Sequence, residues 1–145
     1  MHALLRTFQV LLAACALLAG AAVNAADVSR AVARQVRAVI ESQLAAFAAN
    51  DARRALSYAA PGIREKFGTP EGFLTMVREG YPVVYRPTSV TFLRPERSGS
   101  DIMQAVQMKD SEGFLWLTVY QLQRQADRSW RISGCVTMRY GGSTA

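Results

Sequence analysis

The stretch Gly113–Tyr140, GFLWLTVYQLQRQADRSWRISGCVTMRY, decides the fold. Two runs rich in β-branched and aromatic residues flank the polar turn Ala126-Asp127-Arg128-Ser129, which is the pattern of a β-hairpin. In the second run Trp130, Ile132, Val136 and Met138 alternate with Arg131, Ser133, Thr137 and Arg139, so one face of that strand is for burial. Upstream the same period of two continues from Ser89. Val90–Leu93, Ile102–Met108, Phe114–Gln123 and Trp130–Arg139 are predicted as four antiparallel strands joined by short polar loops. Pairing Phe114, Trp116, Thr118, Tyr120 and Leu122 with Ile102, Gln104, Val106 and Met108 on one side, and with Ile132, Gly134, Val136 and Met138 on the other, gathers the large side chains on one face. In that register Gly134 makes room opposite Tyr120, and Trp116 and Trp130 anchor the core.

The period before the strands is helical. Val32, Val36, Val39, Ile40, Leu44 and Phe47 form an apolar stripe from Ser29 to Asn50, with Arg30, Arg34, Arg37 and Glu41 largely off it. Asn50-Asp51 stops this helix and caps a short one over Ala52–Ala59, which Pro61-Gly62 ends, and Ile63–Phe67 adds a turn. Thr69-Pro70-Glu71 combines a capping hydroxyl, a proline in the first turn and an acid at the positive end of the dipole, so a further helix runs from there to Gly80. Tyr81-Pro82 then predicts an extended path through Val83, Val84 and Tyr85 to Pro87. Helices followed by a run of strands give an α+β layer fold, with N-terminal helices on one face of a curved four-stranded antiparallel sheet.

At 145 residues, half of them apolar, the chain is one domain's worth and supports a single core. Its first residues read as a targeting segment. A positive charge at Arg6, an apolar run from Phe8 to Val23 and small residues at Val23-Asn24-Ala25 predict a signal peptide over 1–25, export, and one domain over 26–145. Leu12-Ala13-Ala14-Cys15 offers an alternative, a lipoprotein box with Cys15 lipidated, although the chain stays apolar after that cysteine. Cleavage removes Arg6 as the only charged side chain, leaving 16 basic and 11 acidic residues, a balance of +5. The arginines are scattered from Arg30 to Arg139, a solvated surface rather than a nucleic-acid footprint, and the apolar run is too short for a stable membrane span. Cleavage also leaves Cys135 as the sole cysteine and no histidine, which removes intrachain disulfides, imidazole acid/base chemistry and histidine metal ligation. No cofactor or metal motif is present.

The long first helix, its break at "AAFAANDARRAL" and the terminal strand "RSWRISGCV" resemble the nuclear transport factor 2-like, or cystatin-like cone, superfamily over residues 29 to 140. Within it, "FGTPEGFLTMVREGYPVVYRP" followed by the later "WRISGC" resembles the secreted proteobacterial family called domain of unknown function 4864. The resemblance implies a cone fold and no assigned activity. The ketosteroid isomerase branch of that superfamily needs a carboxylate base inside the cone and tyrosine or acid donors for an oxyanion. Tyr58, Tyr81, Tyr85 and Tyr120 supply tyrosines, but Glu41 falls off the apolar stripe and Asp51, Asp110, Glu112 and Asp127 occupy caps or turns. A non-catalytic ligand-binding or partner-binding module is the expectation, and a small lyase or isomerase the alternative.

Two candidate sites follow. Gln43 interrupts the first helix's apolar stripe, and with Gln104, Thr118 and Tyr120 it is expected to form a polar cluster under the helices, either self-satisfied or open to a ligand. Tyr81, Tyr85 and Arg86 of "GYPVVYRP" form either a cationic, aromatic rim at a cleft mouth or a structural hand-over from helices to sheet. The opposite face of the sheet is expected to form a homodimer contact through Met103, Ala105, Leu115, Leu117, Val119, Cys135 and Thr137, rimmed by Gln121, Gln123, Arg131 and Arg139.

Overall fold

The computed structural model describes residues 27–143. The predicted signal peptide and the lipoprotein box at Cys15 lie outside these residues. Five helices come first: α1 (Arg30–Ala48), α2 (Ala52–Ser57), α3 (Pro61–Phe67), α4 (Pro70–Gly80) and α5 (Pro82–Tyr85). Five strands follow: β1 (Ser89–Phe92), β2 (Glu96–Ser98), β3 (Asp101–Lys109), β4 (Phe114–Arg124) and β5 (Trp130–Gly142). All pair antiparallel in the order β1-β3-β4-β5, with β2 also on β3. The α+β layer arrangement is as expected, and β2 is a fifth strand hidden in the polar sequence Glu96-Arg97-Ser98, which is exposed throughout and carries no alternation.

Local chemistry explains the helix boundaries. The Ser29 hydroxyl accepts from Val32 N at 3.2 Å, and Asp51 accepts from Arg54 N at 3.0 Å, each satisfying an amide that has no intrahelical partner. Between them Asn50 adopts φ 52°, a left-handed conformation asparagine tolerates better than most residues, which turns the chain sharply from α1 into α2. Thr69 caps α4 through Gly72 N at 3.1 Å with Pro70 in its first turn. Gly68, at φ 65°, ends α3 just before it. The segment expected to be extended is instead the helical turn α5. Proline at its first position has the φ a helix needs and no amide to leave unpaired, and Val83 and Val84 are buried by the turn.

The core lies between the helices and one face of the sheet. Val36, Ile40, Phe47 and Ala55 from the helices meet Ile102, Val106, Met108, Tyr120, Leu122, Trp130 and Ile132 from the sheet. β3 and β4 pair in the expected register, Ile102 with Leu122, Gln104 with Tyr120, Val106 with Thr118 and Met108 with Trp116. β5 follows its expected register only through Ile132, the partner of Leu122. A β-bulge inserts Ser133, so Gly134 pairs with Gln121 and Cys135 with Tyr120. The bulge reverses the side chains that follow it as far as Arg139, where a second register shift intervenes. Cys135 and Thr137 belong to the helix-covered face, and Gly134, Val136 and Met138 to the outer one, where Val136 is 60% and Met138 51% exposed. Trp130 is buried and its indole N–H donates to Gln35 at 3.2 Å. Trp116, expected as a second anchor, is only half-buried at the sheet's end, where its N–H donates to Asp110 at 2.8 Å.

Candidate functional site

The bulge shapes a cleft. Its floor is Ile132, Ser133, Gly134 and Cys135 together with Tyr120, and its walls come from Ile63, Lys66 and Phe67 of α3, Phe73, Met76, Val77 and Gly80 of α4, then Tyr81 and Val84. Gln43 and Phe47 of α1 close the inner end. The cleft encloses about 530 Å³, within the range of small-molecule sites. Phe73 holds the walls together, with its ring centroid 5.9 Å from that of Phe47 and 5.7 Å from that of Phe67.

The polar groups on this surface are few. Gln43 donates its amide N–H to Ala55 O at 3.1 Å, tying α1 to α2. The Ser133 hydroxyl donates to Gln121 O at 3.2 Å across the bulge. Tyr120 differs from both: it is 1% exposed, and its hydroxyl is the one buried side-chain oxygen or nitrogen without a hydrogen-bond partner among the described residues. An unmet buried hydroxyl costs roughly 1–3 kcal/mol, so its place in a cleft wall demands an explanation. Burial, with the neighbouring Cys135 as a smaller cause, raises the Tyr120 phenol well above its ordinary range. Burial also pushes the Cys135 thiol up to about 12. Both groups are therefore neutral at physiological pH. Tyr120 and Cys135 border the cleft as a neutral phenol and a neutral thiol, neither a phenolate nor a thiolate, and the residues lining it include no carboxylate and no imidazole.

The seven residues singled out from sequence are divided by the structure. Gln43, Tyr81 and Tyr120 line the cleft. Gln104 is buried beside Tyr120 but turns elsewhere, donating to Leu93 O and Ala105 O, both at 2.8 Å. It borders a separate, shallower hollow with Arg30, Arg34 and Arg37 of α1. Thr118 is fully buried and its hydroxyl contacts the Met108 sulfur at 3.5 Å. The four expected cluster members thus do not form one network. The Tyr85 hydroxyl donates to Asn50 Oδ1, and Arg86 stacks 4.8 Å from the Tyr85 ring and donates to its hydroxyl at 3.4 Å. That pair pins α5 to the α1–α2 corner and is not part of the cleft wall.

Cys135, Ser133, Lys66, Phe67 and Met76 were not expected at the site. A signal for the first two existed in the sequence: Gly134 inside an otherwise regular strand is a common mark of a bulge, and a bulge at Ser133 moves Cys135 under the helices. Among the described residues no group of histidine, cysteine, aspartate or glutamate is arranged to hold a metal ion, and no helix is long and apolar enough to cross a membrane.

No curated protein and no solved structure matches this chain. A family model described as Domain of unknown function (DUF4864) matches residues 29–145, which takes in the whole helical layer, the sheet and the cleft between them, and the chain belongs to that family.

Proposed function

We propose that this domain binds a small, largely apolar molecule in the cleft between α3–α5 and the bulged part of β5, without turning it over. The observation that carries this reading is the Tyr120 hydroxyl, buried in the wall of an apolar cleft with no protein partner. Such a group is tolerated where a ligand or water completes it. The alternative of a lyase or isomerase of the ketosteroid isomerase type within the cone superfamily needs a carboxylate base within reach of the substrate, and the lining residues offer none. Titration with the apolar fluorophore N-phenyl-1-naphthylamine tests binding. Saturable enhancement at one probe per chain is expected, and Met76→Trp, which fills the cleft from a half-buried position, should abolish it without lowering the melting temperature. Equal binding by both proteins would overturn the reading.

Two further features belong to this proposal. The chain is exported, with cleavage after Ala25 and a periplasmic or secreted destination, supported by the charge, apolar run and small residues of positions 1–25. N-terminal mass analysis of the native protein decides between this, lipidation at Cys15, and retention of the segment. The outer sheet face pairs with a second copy. Leu117 and Val119 there are half-buried, and their cross-strand partners Met138 and Val136 are largely exposed, with Met103, Ala105 and Leu115 alongside. An apolar centre with a rim of Gln121, Gln123 and Arg131 suits an isologous contact. Cys135 and Thr137 take no part, since the bulge turns them inward. Light scattering should give a dimer for the wild type and a monomer for Leu117→Asp; a monomer in both at micromolar concentration would rule the contact out.

A further inference from the structure

We propose, on the reading that the cleft binds a small molecule, that its ligand is a medium-chain amphiphile with a carboxylate at one end and a neutral carbonyl or hydroxyl oxygen towards the other. The two ends of this molecule answer two different features of the wall.

At the buried end the Tyr120 hydroxyl is the group with no partner at all among the described residues. Gln43 gives one of its two amide N–H groups to Ala55 O, the Ser133 hydroxyl donates to Gln121 O, and the Cys135 thiol is a weak donor. An oxygen acceptor is what this phenol lacks. That acceptor must be uncharged, because no cation lines the cleft at this depth, and a carboxylate buried beside a neutral phenol would be desolvated without compensation. Between the ends the wall is hydrocarbon and aromatic, which fits an alkyl body rather than a sugar or nucleotide.

At the mouth, Lys66 is the one charged side chain on the wall. It is exposed, enters no salt bridge among the described residues, and holds its ammonium 5.6 Å from the centroid of the Phe67 ring. An exposed cation beside an apolar opening favours an anionic head group over a neutral or cationic one.

Calorimetric titration of the full chain with decanoate and with its penultimate-carbon ketone derivative tests both ends. In the wild type the keto acid should bind about tenfold more tightly than decanoate, the scale of one added hydrogen bond to an otherwise unmet donor. Tyr120→Phe should bring the two affinities within about twofold, while Lys66→Gln should weaken both by a similar factor and keep the preference. Equal wild-type affinities, a preference that survives Tyr120→Phe, or no effect of Lys66→Gln would each overturn the proposal. If N-phenyl-1-naphthylamine binds and neither acid displaces it, the ligand class is wrong and the cleft still binds; if that probe does not bind either, the cleft reading itself fails.

Discussion

Gln104 and Tyr120 are cross-strand partners on β3 and β4, both buried on the helix-covered face, and they meet the problem of a buried polar group in opposite ways. Gln104 gives both of its donors to backbone carbonyls at 2.8 Å, whereas the Tyr120 hydroxyl gives its one to nothing. The contrast divides the face into a closed end and an open end. At the closed end α1 packs Val36 and Ile40 against Ile102, Val106 and Leu122, all with no exposure, and every buried polar side chain has a partner. At the open end the bulge at Ser133 turns Cys135 inward and α3–α5 leave a cleft. One end of the face is built for stability, the other keeps an unmet group at a cost, and the proposed binding site rests on that difference rather than on a catalytic motif.

Substitutions at the two ends should differ in size and in sign. The largest effect is expected at the closed core, where Trp130→Ala removes a buried indole and its bond to Gln35 and should cost about 3–5 kcal/mol in denaturant melts. A change below about 1 kcal/mol would place Trp130 outside the core. Gln104→Met keeps the volume but removes the side-chain bonds to the Leu93 and Ala105 carbonyls, and a loss of about 1–3 kcal/mol is expected. Tyr120→Phe should behave oppositely in the ligand-free protein, leaving stability unchanged or raising it by up to about 1 kcal/mol, because it deletes an unsatisfied group. A loss of more than about 1 kcal/mol there would mean that the hydroxyl is bonded after all.

The smallest effect at neutral pH, growing only as the solution turns alkaline, is that of the Cys135 thiol. The Cys135 thiol is held neutral to about 12 in the folded chain, while an unfolded cysteine ionises near ~8.5. Between those values the unfolded state binds fewer protons than the folded one, so stability falls as pH rises through that window and is unaffected below it. Tyr120 acts in the same direction above its ordinary range near ~10. Cys135→Ala should flatten the part of the alkaline decline that begins near ~9, and an unchanged slope would show that the thiol is not buried as described.

Much of the fold was legible because it follows from local chemistry and period. The capped starts at Ser29, Asp51 and Thr69 and the turn around Asp127 are written in hydroxyls, carboxylates and prolines, and the β3–β4 register follows from strict alternation. Three features were not. β2 has neither apolar residues nor alternation and is paired only because β3 extends beyond β1. α5 reads equally as an extended Pro-Val-Val-Tyr, and burial of Val83 and Val84 decides it. The bulge at Ser133 cannot be seen by counting in twos, and one residue of slippage exchanged Cys135 with Val136 and Thr137 with Met138 between the faces. The candidate site suffered most from this slip. Gln43, Tyr81 and Tyr120 were in view from sequence, whereas Cys135, Ser133 and Lys66 depend on a backbone irregularity and on helices packing over it.

The methionines offer the most direct test, since they sample both sides of the sheet. Met76 lines the cleft, while Met103 and Met138 lie on the outer face. Methyl NMR of the full chain, titrated with the keto acid at constant protein concentration, separates the sides. The expected result is a saturable shift of the Met76 methyl with Met103 and Met138 stationary, and its loss of tenfold affinity in Tyr120→Phe. Shifts at Met103 or Met138 with Met76 unmoved would place binding on the outer face and contradict the account.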